Sequence, residues 1–162
     1  MINKLHELIE KVCPIDGVAD LGDNQFRVDY KSSATEEQKI AAQETVRHWP
    51  LMQAKENKLA QIEADWHQVE KTGWDCGQGH LGLSASDVAL YSGAFALAKE
   101  AAALGLPIPP IITLEDNQIN FASIQEMTAL LLQYGAARSL MSAEFAARRR
   151  AVHEATTAEV PK

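Results

Sequence analysis

The chain has little cysteine, few aromatic residues and no excess of basic charge, and each shortage removes a class of protein. Its 162 residues include two cysteines, Cys13 and Cys76. Two are too few for a disulfide framework. One precedes a proline and the other follows an aspartate, so free thiols in a reducing compartment are expected. Fifteen Lys and Arg stand against 22 Asp and Glu, a net charge of -7. Nucleic-acid binders normally display the opposite balance, and no nucleic-acid partner is expected. The single basic cluster, Arg148-Arg149-Arg150, points three ways on a helix and reads as a solvated face.

Long apolar runs are missing too. The tract from Val88 to Leu106 is broken by Ser92, Lys99 and Glu100, and the amphipathic start MINKLHELIEKV carries two glutamates. Neither a membrane span nor a secretory leader is expected, and the reading is of a soluble protein. There is no Walker-type loop, GxSxG or HExxH, and no cofactor, catalytic residue or enzymatic activity is expected.

What is present is helix. Three capping boxes open apolar-periodic runs: Thr35-Glu36-Glu37-Gln38, Ser84-Ala85-Ser86-Asp87 and Ser123-Ile124-Gln125-Glu126. In each, the hydroxyl caps the N3 amide and the N3 side chain reaches back. A first helix over 2–12 sets Leu5, Leu8, Ile9 and Val12 on one face. A hairpin follows, with arms Val18–Leu21 and Gln25–Tyr30 around Gly22-Asp23-Asn24. The next helix runs from about 35 to 48 and ends near Trp49, because a residue before proline is biased out of the helical region. Pro50 then starts a polar helix over 50–71.

A helix over 84–104 stacks Val88, Tyr91, Phe95, Ala98 and Ala102, with Gly105 as its C′ residue. A second hairpin spans Ile111–Glu115 and Gln118–Phe121, turning at Asp116-Asn117 as a type I′ pair. The last helix, 124–155, carries a seam of Ile124, Met127, Leu131, Tyr134, Met141, Phe145 and Val152, widened by Leu130, Ala137 and Leu140. The expected fold class is mainly α with two short β-hairpins (α+β). Its divisions are a helix–hairpin–helix N-terminal unit (1–49), a linking helix (50–72), a helical C-terminal domain with one hairpin and a long final helix (73–157), and a frayed tail (158–162).

The stretch most like chemistry is Trp74-Asp75-Cys76-Gly77-Gln78-Gly79-His80. Cys76 and His80 could give zinc two ligands, but a structural site needs four, and no other Cys or His pair has a ligand spacing. A nucleophilic Cys76 would need an oriented base, and two of the intervening residues are glycines. The reading is therefore a glycine-permitted loop between two helices, with Trp74 as a core anchor and Cys76 as a small filler. No metal site is expected.

Two segments carry a resemblance. Phe26-Arg27-Val28-Asp29-Tyr30, followed by Ala34-Thr35-Glu36-Glu37-Gln38-Lys39-Ile40-Ala41-Ala42-Gln43, resembles a phrase common in small bacteriophage and prophage proteins. From about Gly73 to Ala155 the chain resembles a domain of unknown function found C-terminally in phage tail-fibre-associated proteins. The matching features are Leu83-Ser84-x-x-Asp87 opening an alanine-rich helix, Ile112 to Phe121, and a long final helix rich in alanine and arginine. Ile112 stands where that family has a tryptophan.

The resemblance implies a non-enzymatic structural or tail-associated role through protein–protein contacts, in the virion or the bacterial host cytoplasm. The alternative is a tail-fibre assembly factor or chaperone that binds a phage protein transiently. It also implies other phage tail proteins as partners and a homo-oligomer, with a trimer favoured. In the 50–71 helix, Leu59, Ile62, Trp66 and Val69 have the 3-4-3 spacing of a coiled-coil seam and are the candidate interface. On that reading, polar residues at Ile62 and Trp66 dissociate the oligomer and leave the helices intact.

Overall fold

Thr35 shows how local chemistry sets the architecture. Its hydroxyl accepts the Gln38 N–H (3.3 Å), and the Gln38 side-chain oxygen accepts the Thr35 N–H (2.9 Å). This reciprocal cap starts a helix that then runs unbroken for 37 residues. A computed structural model describes residues 2–157 of the chain; the tail expected to fray, 158–162, lies outside them. In chain order the elements are α1 (Ile2–Glu10), β1 (Ile15–Gly22), β2 (Gln25–Tyr30), α2 (Glu36–Thr72), β3 (Trp74–Asp75), β4 (His80–Leu81), α3 (Ala85–Ala103), β5 (Ile111–Ile112), β6 (Gln118–Ile119) and α4 (Ile124–Glu154). The fold is mainly α with short antiparallel hairpins, and there are three two-stranded sheets where two were expected. The third is β3–β4, built from the WDCGQGH stretch.

The expected break at Trp49–Pro50 does not occur. Pro50 lies inside α2 and leaves the Val46 carbonyl without its helical donor, a local loss of about 3 kcal/mol. Ala42 and Trp49, at 0% and 2% exposure, lie in an apolar cluster where Val46 also packs, which holds the helix through the proline. The bias of a pre-proline residue is a preference, and burial of Trp49 overrides it.

The described residues divide into two compact units, one formed by residues 2–59 with 151–157, the other by Ala60–Arg150. The boundary between the units falls once within α2 and once within α4. In the first unit, Leu5 and Ile9 of α1 are fully buried with Cys13, Ile15, Ala42 and Trp49. The helix stops at Glu10, two residues early, and Val12 is exposed. Val12 and Cys13 both donate to the Ile9 carbonyl in a closing turn that buries Cys13 instead. The hairpin is longer than expected, since β1 begins at Ile15. Asp23 and Asn24 both take positive φ (48° and 59°), as a two-residue turn matching strand twist requires.

The second unit is built around Gly82. Its N–H donates to the Tyr91 hydroxyl (2.9 Å), and its carbonyl accepts from the Tyr134 hydroxyl (2.8 Å). The two rings meet edge to face at 5.2 Å. Both phenols are raised above their usual range by burial, Tyr134 to about 12. Around them lie Leu81, Leu83, Ala98, Ile111, Ile119 and Met127, all buried.

The Ser84–Asp87 box caps α3 as expected, and α3 ends with Gly105 at φ 69° while the Leu106 N–H donates to the Ala101 carbonyl. The buried stripe stops at Ala98, and Ala102 is exposed. In α4, Met127, Tyr134, Phe145 and Val152 are buried, but Leu140 is 74% exposed and does not widen the seam. The Ser123 hydroxyl accepts the Glu126 N–H, while the Glu126 carboxylate reaches one residue past the expected target, to the Ala122 N–H.

Candidate functional site

Gly73, at φ 78°, ends α2 and turns the chain into the WDCGQGH hairpin. Trp74 pairs with Leu81 and Asp75 with His80, so the loop proper is Cys76 to Gly79. Each reactive group in it has an internal partner. The Cys76 thiol donates to the Gly79 carbonyl (3.0 Å), which also accepts the Cys76 N–H (3.0 Å). The Asp75 carboxylate accepts the Gly77 N–H (2.7 Å), a short Asx closure. Trp74 packs on the core edge-on to Tyr134, centroids 6.2 Å apart, as expected of an anchor.

His80 faces away from the thiol's partner and toward the neighbouring hairpin. Its Nδ1 lies 2.6 Å from one Glu115 oxygen, and its backbone N–H donates to the other at 2.9 Å. The Leu114 N–H returns a bond to the His80 carbonyl (2.8 Å). A donor is needed opposite a carboxylate, so the Nδ1 position carries the proton. Thr113, 4% exposed, accepts the N–H groups of Glu115 and Asn117 at its hydroxyl (3.3 and 3.2 Å). This fastening changes the turn. Asp116 alone of Asp116-Asn117 has positive φ, and Leu114–Asp116 form a three-residue loop closed by the Asp116 N–H to the Thr113 carbonyl. The same Asp-Asn-Gln tripeptide makes a two-residue turn at 23–25, so the tripeptide does not determine the loop.

The His80 amide first, then its ring and the Thr113 hydroxyl, hold the Glu115 carboxyl at about 2, against an ordinary 4.5. A depressed carboxyl stabilises the folded chain above its unfolded pKa, and that contribution disappears as pH falls from about 4.5 toward 2. The urea midpoint of the parent should therefore exceed that of Glu115→Gln at neutral pH, with the gap closing over this window. A gap independent of pH would show that the clasp does not depend on Glu115 ionisation.

Chemically, the stretch is a fastened double hairpin. The thiol, carboxylate and imidazole bond to different partners and do not converge on a shared point. Among the described residues, no three His, Cys, Asp or Glu side chains are placed to hold a metal ion. No described helix is long and apolar enough to cross a membrane.

Of the candidate interface residues, Trp66 and Val69 make contacts within the second unit. Ile62 is 1% exposed, Trp66 meets Phe145 edge-on at 5.1 Å, and Val69 packs against the core of the second unit. Arg148 lies over the Phe145 ring and pairs with Asp65 (3.5 Å), which closes the same contact. Leu59 is half-buried in the other unit.

The residues that face solvent are different ones. Leu90 and Leu97 on α3 and Leu104 at its C-cap are 62%, 67% and 73% exposed, seven residues apart. Over its 19 residues α3 has only three charges, Asp87, Lys99 and Glu100, and Asp87 is used in the cap. The signal was legible as leucine at every seventh position. It was masked because α3 is apolar all round, and the Tyr91 side also makes a regular stripe. No protein-family model matches this chain, and no curated protein and no solved structure is similar to it.

Proposed function

We propose that this chain is a non-enzymatic structural or tail-associated bacteriophage protein that acts through protein–protein contacts, self-associating and meeting other tail proteins. The observation that carries the reading is the balance of engaged and unengaged groups. The reactive side chains of the WDCGQGH stretch are spent on internal bonds. Meanwhile Leu90 and Leu97 of the charge-poor α3, with Leu104 at its C-cap, are exposed among the described residues. Apolar surface of this kind marks contact with another macromolecule. The phage context comes from the resemblance of Phe26–Gln43 and of Gly73–Ala155 to phage and tail-fibre-associated sequences.

The test is the composition of purified virions from a bacterium carrying the gene, with copy number measured by quantitative mass spectrometry. A built-in component is present at a fixed, tail-like stoichiometry. Absence from virions, with the protein still required for infectious particles, sinks the structural reading and favours the transient assembly factor. The exposed α3 leucines supply the apolar docking face that this second role would use. Particles of normal number and infectivity without the gene would sink both.

A further inference from the structure

We propose that β2 is a homotypic docking edge: two copies of this chain pair antiparallel through Gln25–Tyr30 about a twofold axis at Val28, joining their hairpins into one four-stranded sheet. The inference rests on the self-association part of the proposed function and names a surface for it.

The first observation is an open edge. β2 pairs only with β1, and among the described residues no other backbone or side chain bonds its outer N–H and C=O groups. Such an edge templates another strand unless it is guarded by proline, a bulge or charges that repel the incoming strand, and the two charges of β2, Arg27 and Asp29, are of opposite sign. β2, with the sequence QFRVDY, has no proline. The two register shifts of the hairpin, at Ile15/Gly17 and Asp20/Gly22, place their extra residues in β1.

The second observation is room. Phe26, Val28 and Tyr30 on one face of β2 and Arg27 on the other line a single groove of about 380 Å³. Residues from both faces can share a groove only if it runs along the strand's edge. Val46 and Arg47 of α2 form its opposite wall. An extended segment fits that geometry, with α2 beneath it.

The third observation selects the occupant. Arg27 and Asp29 are 63% and 49% exposed, on the same face of β2, and pair with each other at 3.1 Å. With the twofold at Val28, Arg27 lies opposite the partner's Asp29, and Asp29 opposite the partner's Arg27. Phe26 then lies opposite the partner's Tyr30. Opposite charges and aromatic pairs at facing positions are the favourable cross-strand combinations. Moving the axis to residue 27 or 29 sets like charges face to face. Parallel in-register pairing does the same. The charge pattern is therefore self-complementary in one direction and one register, as an isologous interface requires.

The experiment uses the full chain, with absolute mass from light scattering on a sizing column. The parent is expected as a dimer, or as a higher even assembly if a threefold contact coexists. Arg27→Asp sets two aspartates against two aspartates, and Asp29→Arg sets arginines against arginines. Each variant alone should weaken the pairing tenfold or more and run as the half-assembly. An equimolar mixture of the two restores complementary pairs and should recover the parental mass. Recovery on mixing also shows that neither variant has misfolded, and the double exchange Arg27→Asp/Asp29→Arg should self-pair again. A monomeric or purely trimeric parent, unchanged mass in the single variants, or no recovery on mixing would overturn the proposal. A monomeric parent would also remove the self-association part of the proposed function, whereas the other outcomes bear on this edge alone; virion copy number tests the tail role separately.

Discussion

Ile62→Ala should lower the free energy of unfolding by about 2–5 kcal/mol, the range for truncating a fully buried isoleucine. Ile62 is 1% exposed, one helical turn before Trp66, whose ring meets Phe145 of α4. The substitution removes transferred apolar surface and leaves a cavity, and a long helix cannot collapse locally to fill it. At this chain length, each kcal/mol moves the midpoint by roughly 2–4 °C. Thermal or urea melts followed by circular dichroism measure the loss. Trp66→Ala should add to it, since its edge-on contact with Phe145 at 5.1 Å disappears. The expectation drawn from the heptad spacing is the opposite outcome, in which polar residues at Ile62 and Trp66 separate subunits but leave the helices intact. A variant that melts like the parent while its solution mass falls would restore the seam as an intermolecular surface.

Gly73→Ala is the second large effect, also about 2–5 kcal/mol, and its origin is backbone geometry. At φ 78° an alanine pays about 1–2 kcal/mol for the left-handed region. Its Cβ would also stand 2.7 Å from the Leu81 carbonyl oxygen and 2.9 Å from Leu114 Cδ1. The leucine side chain can shift; the carbonyl belongs to the β3–β4 ladder and cannot without breaking the Trp74–Leu81 pair. Overpacking of this sort adds about 1–3 kcal/mol. Gly77→Ala is the control, because it shares positive φ (80°) but meets nothing within 4 Å. Denaturation of the two variants separates the terms. Equal losses would mean that the left-handed backbone alone accounts for Gly73.

These two residues also mark what could be read in advance. The helices and their starts were legible because capping is local: Thr35, Ser84 and Ser123 each find their N–H partners within three residues. The role of Gly73 as a helix stop was legible for the same reason. Its steric necessity was not, since Leu81 approaches only after β4 folds back. The β3–β4 hairpin escaped notice because two-residue strands have no alternation to detect. The Glu115 clasp on His80 spans 35 residues, and nothing near either residue announces the other.

The sequence by itself determined the class of protein and its local grammar: acidic, poor in cysteine, mostly helical, with capped helices and glycine-marked turns. Those properties depend on composition and on neighbours within about four residues. Tertiary structure alone decided which stripe of each amphipathic helix is covered. Ile62 and Trp66 belong to the chain's own packing, whereas Leu90, Leu97 and Leu104 face solvent. Periodicity shows only that a face is apolar. The covering side chains come from distant parts of the chain, and hydrophobic burial is non-directional, so only packing decides which apolar faces are covered.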